Sequence, residues 1–153
     1  MKIADLLDIK HIIILNDKYE KSDLLYLLVG KLCELDNLPD KEFIYNQLIE
    51  REKLSSTAIG RGVAIPHVRI SFIEKPYLLL AILPKGVNFE AEDKRAVKII
   101  FLLLTPEKDL TLHLRLLAKI SHLVKKTPFV NKIRADVDND EILAILKECN
   151  NFG

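Results

Sequence analysis

Tryptophan is absent from this chain, methionine occurs once, and the 153 residues hold only two cysteines. Cys33 and Cys149 stand 116 positions apart, with no CxxC. That excludes a disulfide framework, and both read as reduced thiols inside apolar helical patterns. Charge of one sign is not in excess: 23 Lys and Arg face 22 Asp and Glu, for a net +1. The bulk electrostatic argument for a nucleic-acid partner is therefore missing, although a local basic patch is not excluded. Long hydrophobic runs are missing too. Stretches such as Ile99–Leu104 are strand-sized, against the ~20 residues that cross a bilayer as a helix. The start, MKIADLLDIK, has neither an apolar signal core nor a small-residue cleavage site. The expectation is a cytoplasmic protein with no membrane insertion and no nucleic-acid partner.

What is present is the composition of a folded domain, 49% hydrophobic and 29% charged. The length suits one domain, placed over residues 1–153. Residues 1–9 read as a helical lead-in and His11–Leu15 as a β-branched strand. Ser22 is a candidate cap for a helix to about Leu35, with Leu25, Leu28, Val29 and Leu32 at helical spacing. Asp40 is the candidate N-cap of a second helix, its inward stripe marked by Ile44, Leu48 and Leu54. Ser55 to Gly62 is turn material, followed by a short strand at Val63–Ile65. Tyr77–Leu83 reads as a strand stopped by Pro84-Lys85-Gly86. Val97–Leu104 is apolar almost throughout, as a strand covered on both faces would be. A helical Val97–Leu104 and a loop at Val87–Glu90 remain open alternatives.

Thr105-Pro106 pairs a capping residue with a first-turn proline, predicting a helix to about Lys125. Thr127-Pro128 repeats that device before a short helix. Asp138 and Glu141 predict a capping box for a last helix carrying Ile142, Ile145, Leu146 and Cys149 on one face. The fold class expected is α/β: a single domain, a mixed β-sheet with helices packed on both faces.

The chemistry-bearing residues are few. His67 follows Pro66 after the glycine-interrupted turn, a placement suited to a rim site and equally to a plain loop histidine. His113 lies beside Leu110, Leu114 and Leu117, at the edge of a packed helical face. His122 is nine positions further on, about 180° around the helix, and is assigned to solvent. His11 has no visible chemical partner. HxxxH, HExxH and GxSxG are all absent, and Gly60-Arg61-Gly62 is neither a dinucleotide fingerprint nor a P-loop. Arg51 falls in the apolar phase of Ile44 and Leu48. That position demands either snorkelling to water or an anionic partner, and its planar fork suits phosphate oxygens.

The segment Arg51-Glu52-Lys53-Leu54-Ser55-Ser56-Thr57-Ala58-Ile59-Gly60-Arg61-Gly62-Val63-Ala64-Ile65-Pro66-His67 resembles the signature of the IIA components of the bacterial phosphoenolpyruvate-dependent phosphotransferase system, fructose/mannitol class. The class includes stand-alone nitrogen-regulatory relatives, which this chain resembles most. The resemblance continues through Gly86–Phe89, Val97–Leu104 and His113–Ile120, in effect the whole chain. It implies that His67 is transiently phosphorylated by a histidine-bearing phosphocarrier protein, with Arg51 and His113 around the phosphate. It also implies onward partners, either regulatory targets or the cysteine of a IIB component in sugar transport. No cofactor and no metal are called for. Two departures stand out. Val68 and Ala58 occupy positions that are usually small or glycine, so Val68 is expected to crowd backbone near the phosphate and alter partner fit rather than chemistry, and Ala58 to restrict the turn if its φ is positive. They also keep open a binding module that has lost phosphotransfer. Whether the Gly60–Gly62 amides add donors to the phosphate is left open.

Overall fold

A computed structural model describes residues 2–150. Met1 and residues 151–153, which the expected 1–153 domain includes, lie outside the described residues. After two short 3₁₀ turns, Ile3–Leu6 and Ile9–His11, the order is β1 (Ile12–Ile14), α1 (Lys21–Asp36), α2 (Lys41–Leu54), β2 (Ala58–Gly60), β3 (Val63–Ala64), β4 (His67–Ile70), β5 (Tyr77–Val87), β6 (Val97–Pro106), α3 (Leu110–Lys126), α4 (Phe129–Lys132) and α5 (Asn139–Cys149).

The sheet is mixed, in the order β1-β5-β6-β3-β2, with β4 pairing β6 further along the same edge as β3. β6 is its centre: antiparallel to β5, parallel to β3 and β4. The apolar run of β6 splits by strand alternation. Ile99, Phe101 and Leu103 enter a core under α3, α4 and α5, while Ile100, Leu102 and Leu104 enter a core under α1 and α2. Cys149 and Cys33 are buried on opposite sides of the sheet, so the two thiols cannot meet. The expected mixed sheet with helices on both faces is the observed fold, and residues 97–104 are strand.

Several local expectations shift. α1 starts at Lys21 with Glu20 in the cap position, so Ser22 is inside the first turn. Asp40 does precede α2 but with φ 63°, and its side chain makes no cap bond. It and Asn37 (φ 55°) are the left-handed residues that reverse the chain between the helices. Leu54 is 81% exposed, because six positions beyond Leu48 is about 240° around a helix; Glu52 takes the inward place. β5 runs through Pro84-Lys85-Gly86 to Val87, as a bulge between the Ile82↔Ile99 and Val87↔Val97 pairs. Its partner β1 has ended by then, so the proline sits where no ladder N–H is needed. β6 likewise runs through Thr105-Pro106, because Arg69 and Ile70 of β4 pair with them. Asp109 caps α3 instead, accepting from the Leu112 N–H at 3.1 Å. The Asp138–Glu141 capping box of α5 forms as expected. Among the described residues no helix is long and apolar enough to cross a membrane.

Candidate active site

β3 and β4 are one parallel path beside β6, broken at Ile65-Pro66. Val63 and Ala64 pair with Ile99 and Ile100, and the ladder resumes at His67↔Leu103. In the break the Ile65 N–H turns away to the Thr57 carbonyl at 3.0 Å, and Pro66 has no N–H to give. The His67 ring folds back into this gap, its Nδ1 2.6 Å from the Ile65 carbonyl oxygen. A carbonyl only accepts, so Nδ1 carries the ring proton and Nε2 presents a lone pair.

His113 is on the first turn of α3, and the fold brings it to His67: the ring centroids are 5.3 Å apart and the planes tilted by 53°. His113 is buried on the inward stripe with Leu116 and Ile120, whereas Leu110 and Leu114, expected on its packed face, are 50% and 55% exposed. Its Nδ1 lies 2.6 Å from the hydroxyl oxygen of the buried Thr105. Arg51, on the last turn of α2, is half-buried and donates from Nη1 to the Ser55 carbonyl at 3.1 Å. Its charge bears on both rings. Burial pushes the pKa of His67 down and Arg51 adds to this, against the Ile65 hydrogen bond and Glu52, which raise it. Burial, then His67, Arg69 and Arg51, bring His113 down to about 4. Both imidazoles are therefore neutral near pH 7, one of them with a free lone pair beside a fixed cation. That is a nucleophile with electrostatic support for an incoming anionic group.

Of the residues expected at a site, Arg51, His67 and His113 converge. His122 is exposed, as expected. His11, expected to lack a partner, is buried and bridges Asp8 and Asp36, each at 2.8 Å; Asp36 is 25 residues away and only the fold joins them. The Gly60–Gly62 turn does not line the site. The Gly62 carbonyl accepts from Lys98 and Ile99, four residues back along β6 from Leu103, about 13 Å away at strand rise. Ala58 does not have positive φ, so the expected turn restriction is absent. Val68 packs against the α1–α2 core rather than over His67.

The sequence reading missed three contributors. Glu52 is buried and bonds the Thr57 N–H at 3.2 Å, the Thr57 hydroxyl and Lys21 Nζ at 2.9 Å, anchoring the end of α2 beneath the Ser55–Thr57 segment. Arg69 adds positive charge near His113 and donates to the Glu107 carbonyl at 3.0 Å. Thr105 looked like a helix cap. A glutamate at the inward position of α2 was the one legible signal among these. Among the described residues no group of three or more His, Cys, Asp or Glu is arranged to hold a metal ion.

A doubly covered mixed sheet that brings two neutral histidines and an arginine together at one strand start is suited to an incoming anionic group. Residues 5–149 match the family described as "Phosphoenolpyruvate-dependent sugar phosphotransferase system, EIIA 2". The chain belongs to this family and is a phosphoryl carrier of the IIA type. It is 36% identical over 146 residues, 95% of each chain, to a nitrogen regulatory protein of Bradyrhizobium diazoefficiens. It is 29% identical over 149 residues to the fructose-specific EIIABC component of Bacillus subtilis, covering 97% of this chain and 23% of that one. The nitrogen regulatory protein IIA-Ntr of Neisseria meningitidis superposes with a TM-score of 0.84 at 29% identity, covering 94% of this chain and 98% of that one.

Proposed function

We propose that His67 is the phosphoacceptor, loaded by a histidine-bearing phosphocarrier protein in the cytoplasm. Its Nε2 attacks phosphorus; the new N–P bond forms as the donor's N–P bond breaks, and no proton leaves His67. The proton on Nδ1 stays, donating to the Ile65 carbonyl as the ring gains positive character. Arg51 meets the charge spread over the phosphoryl oxygens, and His113 supplies a further polar contact. The observation that carries this reading is the Nδ1–Ile65 bond of 2.6 Å, which frees Nε2 in a gap beside a cation.

The phosphorylated and free forms then engage regulatory targets differently. Support for this branch is the similarity to the Bradyrhizobium nitrogen regulatory protein along 95% of both chains. The second reading is a sugar-specific donor to a IIB cysteine, favoured by the fructose EIIABC similarity over 97% of this chain. The test is incubation with phosphoenolpyruvate, the first enzyme of the system and the carrier, followed by mapping of the acid-labile phosphate. Label is expected on His67 and lost in His67→Gln; label retained by that variant overturns the assignment. Absence of label in the parent would point to the binding module without turnover. Chasing labelled protein with a fructose-type IIB separates the branches: retention of label supports regulation, rapid transfer supports transport.

A further inference from the structure

The Thr105 side chain is wholly buried in β6, and among the described residues its hydroxyl makes one hydrogen bond, to His113 Nδ1. A hydroxyl has one proton to place, and a buried one needs an acceptor. Were the His113 ring proton on Nδ1, it would donate to Thr105 Oγ1 and leave the hydroxyl proton aimed at nothing. With Nδ1 bare, the hydroxyl donates to it and both groups are satisfied. His113 is neutral near pH 7, so its single ring proton then sits on Nε2. His67 is set the other way by the Ile65 carbonyl. On this reasoning the two rings, with centroids 5.3 Å apart, would be opposite tautomers: a lone pair on one Nε2, an N–H on the other.

We propose that Thr105 is a positioning residue whose hydroxyl holds His113 as the Nε2–H tautomer, so that this ring offers a hydrogen-bond donor to the phosphoryl group on His67. The alternative tautomer would turn a second lone pair on that anion and repel it. The inference rests on the reading of His67 as phosphoacceptor. Its chemical step is the one given above: the phosphoryl group moves between nitrogens and the His113 proton stays on Nε2 throughout.

The experiment compares the parent with Thr105→Val, of nearly the same shape, and Thr105→Ser, which keeps the hydroxyl. Ring nitrogen-15 NMR of unphosphorylated protein should show His113 with Nδ1 bare in the parent and in Thr105→Ser. In Thr105→Val a population protonated at Nδ1 should appear. Phosphoryl transfer should slow by about five- to tenfold in Thr105→Val, the worth of one neutral hydrogen bond, and recover in Thr105→Ser. A parent ring protonated at Nδ1 overturns the proposal. So does a folded Thr105→Val that loses thermal stability while its tautomer and transfer rate match the parent. The NMR readout needs no phosphate, so a wrong tautomer is distinguishable from a wrong phosphoacceptor, which shows as missing His67 label in the parent.

Discussion

Arg51 shows how little separates a surface charge from a candidate site residue. It shares the helical phase of Ile44 and Leu48, yet it lies on the last turn of α2, close enough for its charge to lower the pKa of His67. Lysine there would keep the charge and lose the fork that spans two phosphoryl oxygens. Arg51→Lys should cost about 2–4 kcal/mol of transition-state stabilisation, by analogy with a removed oxyanion donor. That is about a thirtyfold to thousandfold loss of rate. Rapid-quench transfer rates check this, and a rate equal to the parent rejects the role. His113, proposed as a polar contact to the phosphoryl group rather than as the nucleophile, should behave differently. His113→Ala should still take label at His67 but pass it on more slowly, which a chase of the isolated labelled variant measures.

At the scale of elements, the site is the meeting of pieces that hold one another in place. Glu52 ties α2 to the Ser55–Thr57 segment and, through Lys21, to the start of α1. Thr57 in turn accepts from the Ile65 N–H, opening the gap for His67. Removing the carboxylate strands the Thr57 hydroxyl and leaves Lys21 with the exposed Glu90 at 3.6 Å and the face of the Phe89 ring, 4.5 Å from its centroid. Glu52→Ala should therefore lower stability by about 3 kcal/mol, the low end for a broken buried ion pair, since Lys21 keeps Glu90 and the Phe89 ring. It should also slow transfer, as Arg51 and the Ile65 carbonyl lose their common anchor. Urea unfolding and transfer rates read the two effects, and an unchanged midpoint would show that Glu52 anchors nothing.

Over the whole molecule, three histidines set opposing pH responses. Burial alone would push His11 down, but its bonds to Asp8 and Asp36 prevail and raise its pKa. Its contribution to stability is full below about pH 6.5, the unfolded value, and is lost as pH rises through the higher folded value. His67 and His113 are lowered. Their contributions are full above about pH 6.5 and fade as pH falls, for His113 towards about 4. Urea midpoints should peak between these limbs, and His11→Gln should flatten the alkaline one; an alkaline limb unchanged in His11→Gln would refute a stabilising role for the Asp8–His11–Asp36 bridge. Phosphorylation adds about −1.5 to −2 charge to a chain of net +1, inside a close-packed scaffold. Amide shifts should concentrate at Arg51, Ile65–Val68, Thr105 and His113. The Gly60–Gly62 turn and α5 should stay silent, and broad changes through α5 would mean a global rearrangement. The sequence by itself determined the layers of the fold, because the doubly apolar β6, the helical stripes and the α5 capping box are local patterns with local causes. It also determined the family, and with it the expectation that Arg51, His67 and His113 form the site. Only the tertiary structure decided what surrounds them. Pairing with β4 carried β6 through Thr105-Pro106, so a residue patterned as a helix cap became a partner of His113. Ile65 and His67 are two residues apart, but the carbonyl–ring bond exists only because the ladder breaks between them. His11 met Asp36, and Glu52 met Lys21, across separations that no periodicity records: burial removes water as a partner, and the nearest group the fold supplies takes its place.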